Sequence, residues 1–200
     1  MKYKKNLIIE VEILKREIES KIYLGLSAAL KDFRVIIGRE DHLKFAIEKY
    51  SINSGIYLMK CVSKGRKSTM DLLSKRNFSI FQYDVESSIA EISKDRFFEF
   101  RGSLDAVKKT KKFFCWGKEE QDGWKKKYPK YKNKFLLSGS LASTLWTPNF
   151  EPYYKNKMKI IKKKYNDFVL IVSTFYKTNN VENESDYNEI VKNESKFQFR

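Results

Sequence analysis

Two cysteines and one histidine in 200 residues leave little for metal or disulfide chemistry. Cys61 and Cys115 cannot build a disulfide framework or a zinc site alone. A lone His42 excludes a multi-histidine centre and disfavours a histidine-based triad. No apolar run reaches the ~18–20 residues of a membrane span. Met1-Lys2-Tyr3-Lys4-Lys5 leads into a short apolar run with no small-residue cleavage site. A cytoplasmic protein is therefore expected. Glycine-rich phosphate loops are also missing: the first turn reads Ile13-Leu14-Lys15-Arg16-Glu17 rather than G-x-G-x-x-G, and no G-x-x-x-x-G-K-[ST] occurs. Without such glycines a dinucleotide pyrophosphate cannot approach a helix N-terminus closely, which disfavours dehydrogenases and P-loop nucleotidases.

What is abundant is lysine. The formal net charge is +16, but it comes from 33 lysines and only eight arginines. Nucleic-acid readers favour arginine for bidentate contacts, and no reading motif accompanies the charge. No specific nucleic-acid partner is expected; an anionic membrane surface is the charge-based alternative. A hydrophobic content of 42% with 15% aromatics is that of a folded globular chain.

Periodicity organises the chain. Strands are predicted at Asn6–Ile13, Arg34–Gly38, Gly55–Met59, Ser79–Asp84, Lys112–Gly117, Lys134–Gly139 and Phe168–Ser173. Helices fall between them: Arg16–Lys31, Asp41–Tyr50, Ser68–Lys75, a mixed stretch over 86–110, and Glu119–Lys127 with Pro129 as its stop. On the first helix Ile18, Ile22, Leu26 and Ala29/Leu30 share an apolar face. Strands alternating with helices predict an α/β fold, a doubly wound and mainly parallel sheet over residues 1–177. Thr178 to Glu194 is polar and opens a linker or mobile tail over 178–200.

Ligands of such sheets bind beyond the carboxyl ends of the strands. Glu12 stands at the end of an otherwise apolar strand, followed by Arg16, Glu17 and Lys21. A carboxylate near cations suits a general base for a hydroxyl nucleophile, although Glu17 and Lys21 also fit an ordinary i,i+4 ion pair. Further candidates at strand ends are Arg39, Lys60, Asp84 to Glu86, Trp116, Gly117, Gly139 and Ser140. His42 reads as a surface residue and Cys115 as a small core residue. The run Lys155, Lys157, Lys159, Lys162, Lys163, Lys164 around Met158, Ile160 and Ile161 reads as a solvated basic helix or a membrane-surface contact.

An ordered set of segments carries a resemblance. It comprises Leu7 to Glu17, Phe33 to Arg39, Gly55-Ile56-Tyr57-Leu58, Asp84-Val85-Glu86, Phe114-Cys115-Trp116-Gly117, Lys134 to Gly139 and Phe168 to Asn180. The set resembles the N-terminal half of a bacterial surface carbohydrate biosynthesis family. That family is similar to two-Rossmann (GT-B) glycosyltransferases and to CDP-glycerol glycerophosphotransferases. The resemblance implies a Rossmann-like acceptor domain of surface polysaccharide assembly, cytoplasmic or peripheral at the inner face of the membrane, with a lipid-linked glycan as acceptor. Glu12 or Glu17 would act as base, and Arg16, Lys21, Arg39, Glu86, Trp116, Gly117, Gly139 and Ser140 would contact substrate. No cofactor or metal is implied for this half: the sugar nucleotide or CDP-linked donor would belong to a second Rossmann domain or chain, leaving the isolated chain inactive. Two positions depart from the family: Glu10 stands where Pro is usual, and Gly139-Ser140-Leu141-Ala142 stands where Gly-Asn-Pro-Arg is typical. The alternative is a non-catalytic module that binds a glycan or an anionic membrane, or partners a separate catalytic chain.

Overall fold

The computed structural model describes residues 5–86 and 94–171. The elements run β1 (Lys5–Glu10), α1 (Leu14–Ala29), β2 (Phe33–Gly38), α2 (Glu40–Lys49), β3 (Gly55–Met59), α3 (Lys67–Lys75), β4 (Phe78–Tyr83), α4 (Lys94–Arg101), α5 (Leu104–Lys109), β5 (Thr110–Cys115), α6 (Lys118–Lys127), β6 (Phe135–Leu137), α7 (Leu141–Thr144) and α8 (Glu151–Tyr165). The six strands form one sheet in the order β2-β1-β3-β4-β5-β6. All neighbours are parallel. This is the α/β, Rossmann-like doubly wound architecture. Both β2 and β3 pair with β1, with Ile8 opposite Ile36 on one side and Tyr57 on the other. The winding reverses at β1, so the crevice between the carboxyl ends of β1 and β3 is the switch point where such sheets bind ligands.

Alternation along the strands divides the core. On one face Ile8, Tyr57, Ile80, Phe113 and Phe135 pack with Leu43 and Ile47 of α2, Met70 and Leu73 of α3, Val107 of α5 and Trp124 of α6. Trp124 is fully buried and stacks on Phe135 with ring centroids 5.7 Å apart and 10° between planes. On the other face Leu7, Ile9, Leu58 and Tyr83 meet Leu24 and Ala28 of α1 and Leu141 of α7.

Helix α1 reverses the polarity its sequence suggests. It buries Glu17, Ser20, Lys21 and Gly25, while Leu14, Ile22, Leu26 and Leu30 are exposed. Gly25 explains the choice. A Cβ there would lie 3.1 Å from Val35 Cγ1 and 3.3 Å from Ile37 Cδ1, so its bare backbone lets α1 lie close to the sheet. Residues one and two turns earlier are carried to the same side, which places Lys21 and Glu17 beneath the helix.

Two further differences concern the strands. Strand β1 ends at Glu10 rather than Ile13: the Val11 amide still donates to the Gly38 carbonyl at 2.8 Å, but Glu17 captures the Glu12 and Ile13 amides and turns the chain out of the sheet. The apolar run from Phe168 carries no strand over residues 168–171, which are exposed; Val172 and Ser173 lie outside the described residues. The same is true of the polar tail at 178–200.

By their contacts, residues up to Pro152 form one compact unit and those from Tyr153 a second. Helix α8 is the basic helix expected from sequence. It buries no side chain and exposes Met158, Ile160 and Ile161. Among the described residues no helix is long and apolar enough to cross a membrane.

Candidate functional site

The site grows from the turn after β1. The Glu17 carboxylate accepts hydrogen bonds from the Glu12 and Ile13 amides, at 3.2 and 3.0 Å. The Ile13 amide is one that the first turn of α1 leaves unsatisfied, and the Glu12 amide stands just before it. Glu17 also pairs with Lys21 Nζ at 2.8 Å and Arg16 Nη2 at 3.3 Å. Lys21 in turn donates to the Glu10 carbonyl. The buried pair thus fastens the strand end, the turn and the helix start together, and the i,i+4 spacing of Glu17 and Lys21 serves this architecture.

Glu12 sits on the turn that this pair holds, its side chain about half exposed at 49%. It pairs with Lys60 Nζ, which rises from the residue after β3, and lies 3.9 Å from Arg16 Nη2. Glu12 and Lys60 therefore face each other across the β1/β3 crevice. Arg16 also reaches Glu86 Oε1 at 3.3 Å, and Lys60 lies 3.6 Å from the same oxygen. Arg101 pairs with Glu86 and sits 3.5 Å from Asp84 Oδ2. Cations and acids alternate, and the groups that reach solvent are Glu12, Arg16 and Glu86. That row of carboxylate, guanidinium and carboxylate offers acceptors, donors and acceptors in turn, as a ligand rich in hydroxyl groups requires.

Electrostatics distinguishes the acids. Burial works against ionisation of Glu86, but hydrogen bonding to Arg101 and the charges of Arg101, Lys60 and Arg16 outweigh it and hold the carboxyl below its ordinary value. Asp84 is pushed up to about 6 by burial, which Arg101 only partly offsets. Glu10 is raised for the same reason, with Arg66 opposing.

Arg66, in the loop after β3, joins Glu10 Oε1 at 2.7 Å and Glu40. These three, with Glu12 and Arg39, line a polar cavity of about 250 Å³ beside the crevice. Arg39 itself is exposed and pairs with Asp41 at 3.4 Å.

The remaining candidates lie further along the sheet. Trp116 donates through Nε1 to the Asp84 carbonyl at 2.7 Å, and its amide donates to Glu120 at 2.8 Å. Burial pushes Glu120 up to about 7. Gly117 is the residue before α6, with open space where a side chain would stand. Gly139 has φ +80°, and Ser140 caps α7 through Ser143 N at 3.2 Å. The Tyr83 hydroxyl donates to the Gly139 carbonyl at 3.1 Å and accepts from the Leu141 amide. Together Tyr83, Leu58, Phe114, Leu24, Gly139 and Leu141 wall an apolar cavity of about 200 Å³ between α1 and α7.

The candidates thus divide. Glu12, Arg16, Glu17, Lys21 and Glu86 come together, Arg39 borders the adjoining cavity, Trp116 and Gly117 stand by Glu120, Gly139 borders the apolar cavity, and Ser140 caps α7. Of the other residues weighed from sequence, His42 is exposed, while Cys61 and Cys115 are both free and buried. Burial pushes the Cys115 thiol up to about 12, which keeps it protonated and unreactive. Among the described residues no group of three His, Cys, Asp or Glu side chains is placed to hold a metal ion.

Sequence reasoning did not single out Glu10 as a site residue, nor Glu40, Arg66, Arg101 or Glu120. Glu10 had a signal, an acid within an apolar strand. Arg66 and Arg101 had none, because their roles come from contacts 56 and 15 residues away in the chain.

No family model, curated protein or solved structure matches the chain.

Proposed function

We propose that this chain is the acceptor-type domain of a surface-polysaccharide glycosyltransferase or glycerophosphotransferase, with the β1/β3 crevice as its acceptor site. The observation that carries the reading is Glu12, a solvent-reaching carboxylate held across the switch point by Lys60. In this reading Glu12 takes the proton from an acceptor hydroxyl as that oxygen attacks the donor. Glu17 is a positioning residue that fixes the turn carrying Glu12. Arg16 and Glu86 hold neighbouring hydroxyls of the acceptor, a lipid-linked glycan met at the inner face of a membrane. The sugar nucleotide or CDP-linked donor is held by a second Rossmann domain or chain.

Two results test this. Nucleotide release from UDP-sugars or CDP-glycerol by the 200-residue chain alone is expected to be absent, and robust turnover would contradict the half-site. In a complete two-domain enzyme, Glu12→Gln keeps shape but removes the proton acceptor, and the rate is expected to fall ~10²–10⁴-fold.

One observation favours the alternative of a non-catalytic binding module. The Gly139-Ser140-Leu141-Ala142 loop spends its polar groups on capping α7 and borders an apolar cavity. It brings no cation toward a leaving phosphate. Glycan binding that Glu12→Gln leaves intact, with no turnover when a donor domain is added, would select that reading.

A further inference from the structure

None of the crevice acids or cations lines the apolar cavity between α1 and α7. Its residues come from the carboxyl ends of four successive strands: Leu58 of β3, Tyr83 of β4, Phe114 of β5 and the Ser138-Gly139 turn after β6. That is the side of a doubly wound sheet where ligands bind. Leu58 and Tyr83 are buried and form the floor. Half-buried Leu24 and Leu141 wall the cavity, and exposed Ser138 and Thr144 stand at its mouth. Among the described residues that line it, none is charged.

The polar atoms around the cavity are spent in one direction. The Tyr83 hydroxyl is engaged by both Gly139 and Leu141. Ser138 Oγ donates to the Cys115 and Gly139 carbonyls, at 3.1 and 3.2 Å, and Thr144 Oγ1 donates to the Ser140 carbonyl at 3.1 Å. Each mouth hydroxyl has given its hydrogen to the backbone and keeps only lone pairs for a ligand. Inside, Phe81 and Phe114 stack with centroids 6.1 Å apart, and Tyr83 follows Phe114 at 6.4 Å. A further ring beside Tyr83 and Phe114 continues that row. Volume sets its size. An apolar cavity of about 150 Å³ takes benzene, whereas drug-sized ligands need about 300–1,000 Å³. The 200 Å³ here holds one ring with one or two small substituents. We propose that this cavity binds an uncharged monocyclic phenol, its ring against Tyr83 and Phe114 and its hydroxyl donating to Ser138 or Thr144 at the mouth. The site goes beyond the transferase reading and does not rest on it.

Amide NMR of the labelled full chain titrated with p-cresol tests the proposal, with toluene and benzoate as comparisons. Saturable shifts are expected at Leu24, Leu58, Tyr83, Phe114 and residues 138–144, with half-saturation at about 1 mM or below. Toluene lacks the donor and should bind about tenfold more weakly. Benzoate would bring an unpaired charge into the cavity and should not bind. Thr144→Phe sets a ring across the mouth and should weaken p-cresol binding by about tenfold or more. Thr144 is exposed, so thermal unfolding of that variant should be unchanged. Leu24→Phe narrows the cavity from α1 and serves as the second variant, with the same loss expected. No saturation, shifts centred elsewhere, or wild-type binding by both variants would overturn the site. Toluene or benzoate binding as tightly as p-cresol would overturn the assignment to a phenol.

Discussion

Removing Glu17 should cost more than an exposed i,i+4 pair is worth. Glu17→Ala leaves the Lys21 ammonium, itself buried, with the Glu10 carbonyl as its remaining hydrogen-bond acceptor. Breaking a buried pair by deleting one partner costs about 3–5 kcal/mol, and the surviving carbonyl bond favours the lower half of that range. Losing the acceptor for two helix-start amides adds about 0.5–2 kcal/mol, as for other caps. The sum is about 3.5–6 kcal/mol, or a fall in melting temperature of about 7–24 °C for a chain of this length. Glu17→Gln keeps an amide acceptor and should lose less. Adding Lys21→Met to Glu17→Gln removes the stranded ammonium and should recover part of the loss. Thermal and urea unfolding of the two singles and the double give the coupling energy, expected at about 1–3 kcal/mol. A cost under about 1 kcal/mol for Glu17→Ala, or zero coupling, would refute the view that this pair fastens the turn.

Glu120 and Asp84 make stability fall as pH rises. Their folded values, about 7 and about 6, stand above the ordinary 4.5 and 3.8, so between about pH 4 and pH 7 the folded chain binds more protons than the unfolded one. Glu120→Gln should flatten that profile and stabilise the chain at pH 8 by up to about 3 kcal/mol, with the gain vanishing near pH 4; urea unfolding across pH checks it. Gly123→Ala should destabilise α6 by about 1–3 kcal/mol despite alanine's better helix propensity, because the new Cβ would overlap the Phe98 ring. Thermal unfolding showing a stabilised variant would contradict that packing. Ser103→Ala, which removes the acceptor for Ala106 N at 3.2 Å, should cost about 1 kcal/mol by the same measurement.

The winding was legible because β-branched runs such as Arg34–Gly38 alternate with amphipathic segments, and parallel strands require such crossovers. The facing of α1 was not. Its apolar spacing favours burying Ile22 and Leu26, and only the close approach permitted by Gly25 turns Glu17 and Lys21 inward instead. Glu12 was legible as an acid where a doubly wound sheet places its ligands, but not its partner: Lys60 lies 48 residues away and meets it only because β3 pairs beside β1. Phe168–Ile171 shows the limit of composition, since an apolar run reads the same whether or not a strand pairs with it.

The crevice as acceptor site is tested most directly by amide NMR of the labelled chain titrated with farnesyl-diphosphate-linked N-acetylglucosamine, a short-chain lipid-linked glycan. The account predicts saturable shifts confined to residues 10–17, 60–66 and 84–86, around Glu12, Lys60 and Glu86. No shifts at saturating probe, or shifts centred elsewhere on the sheet, would contradict it.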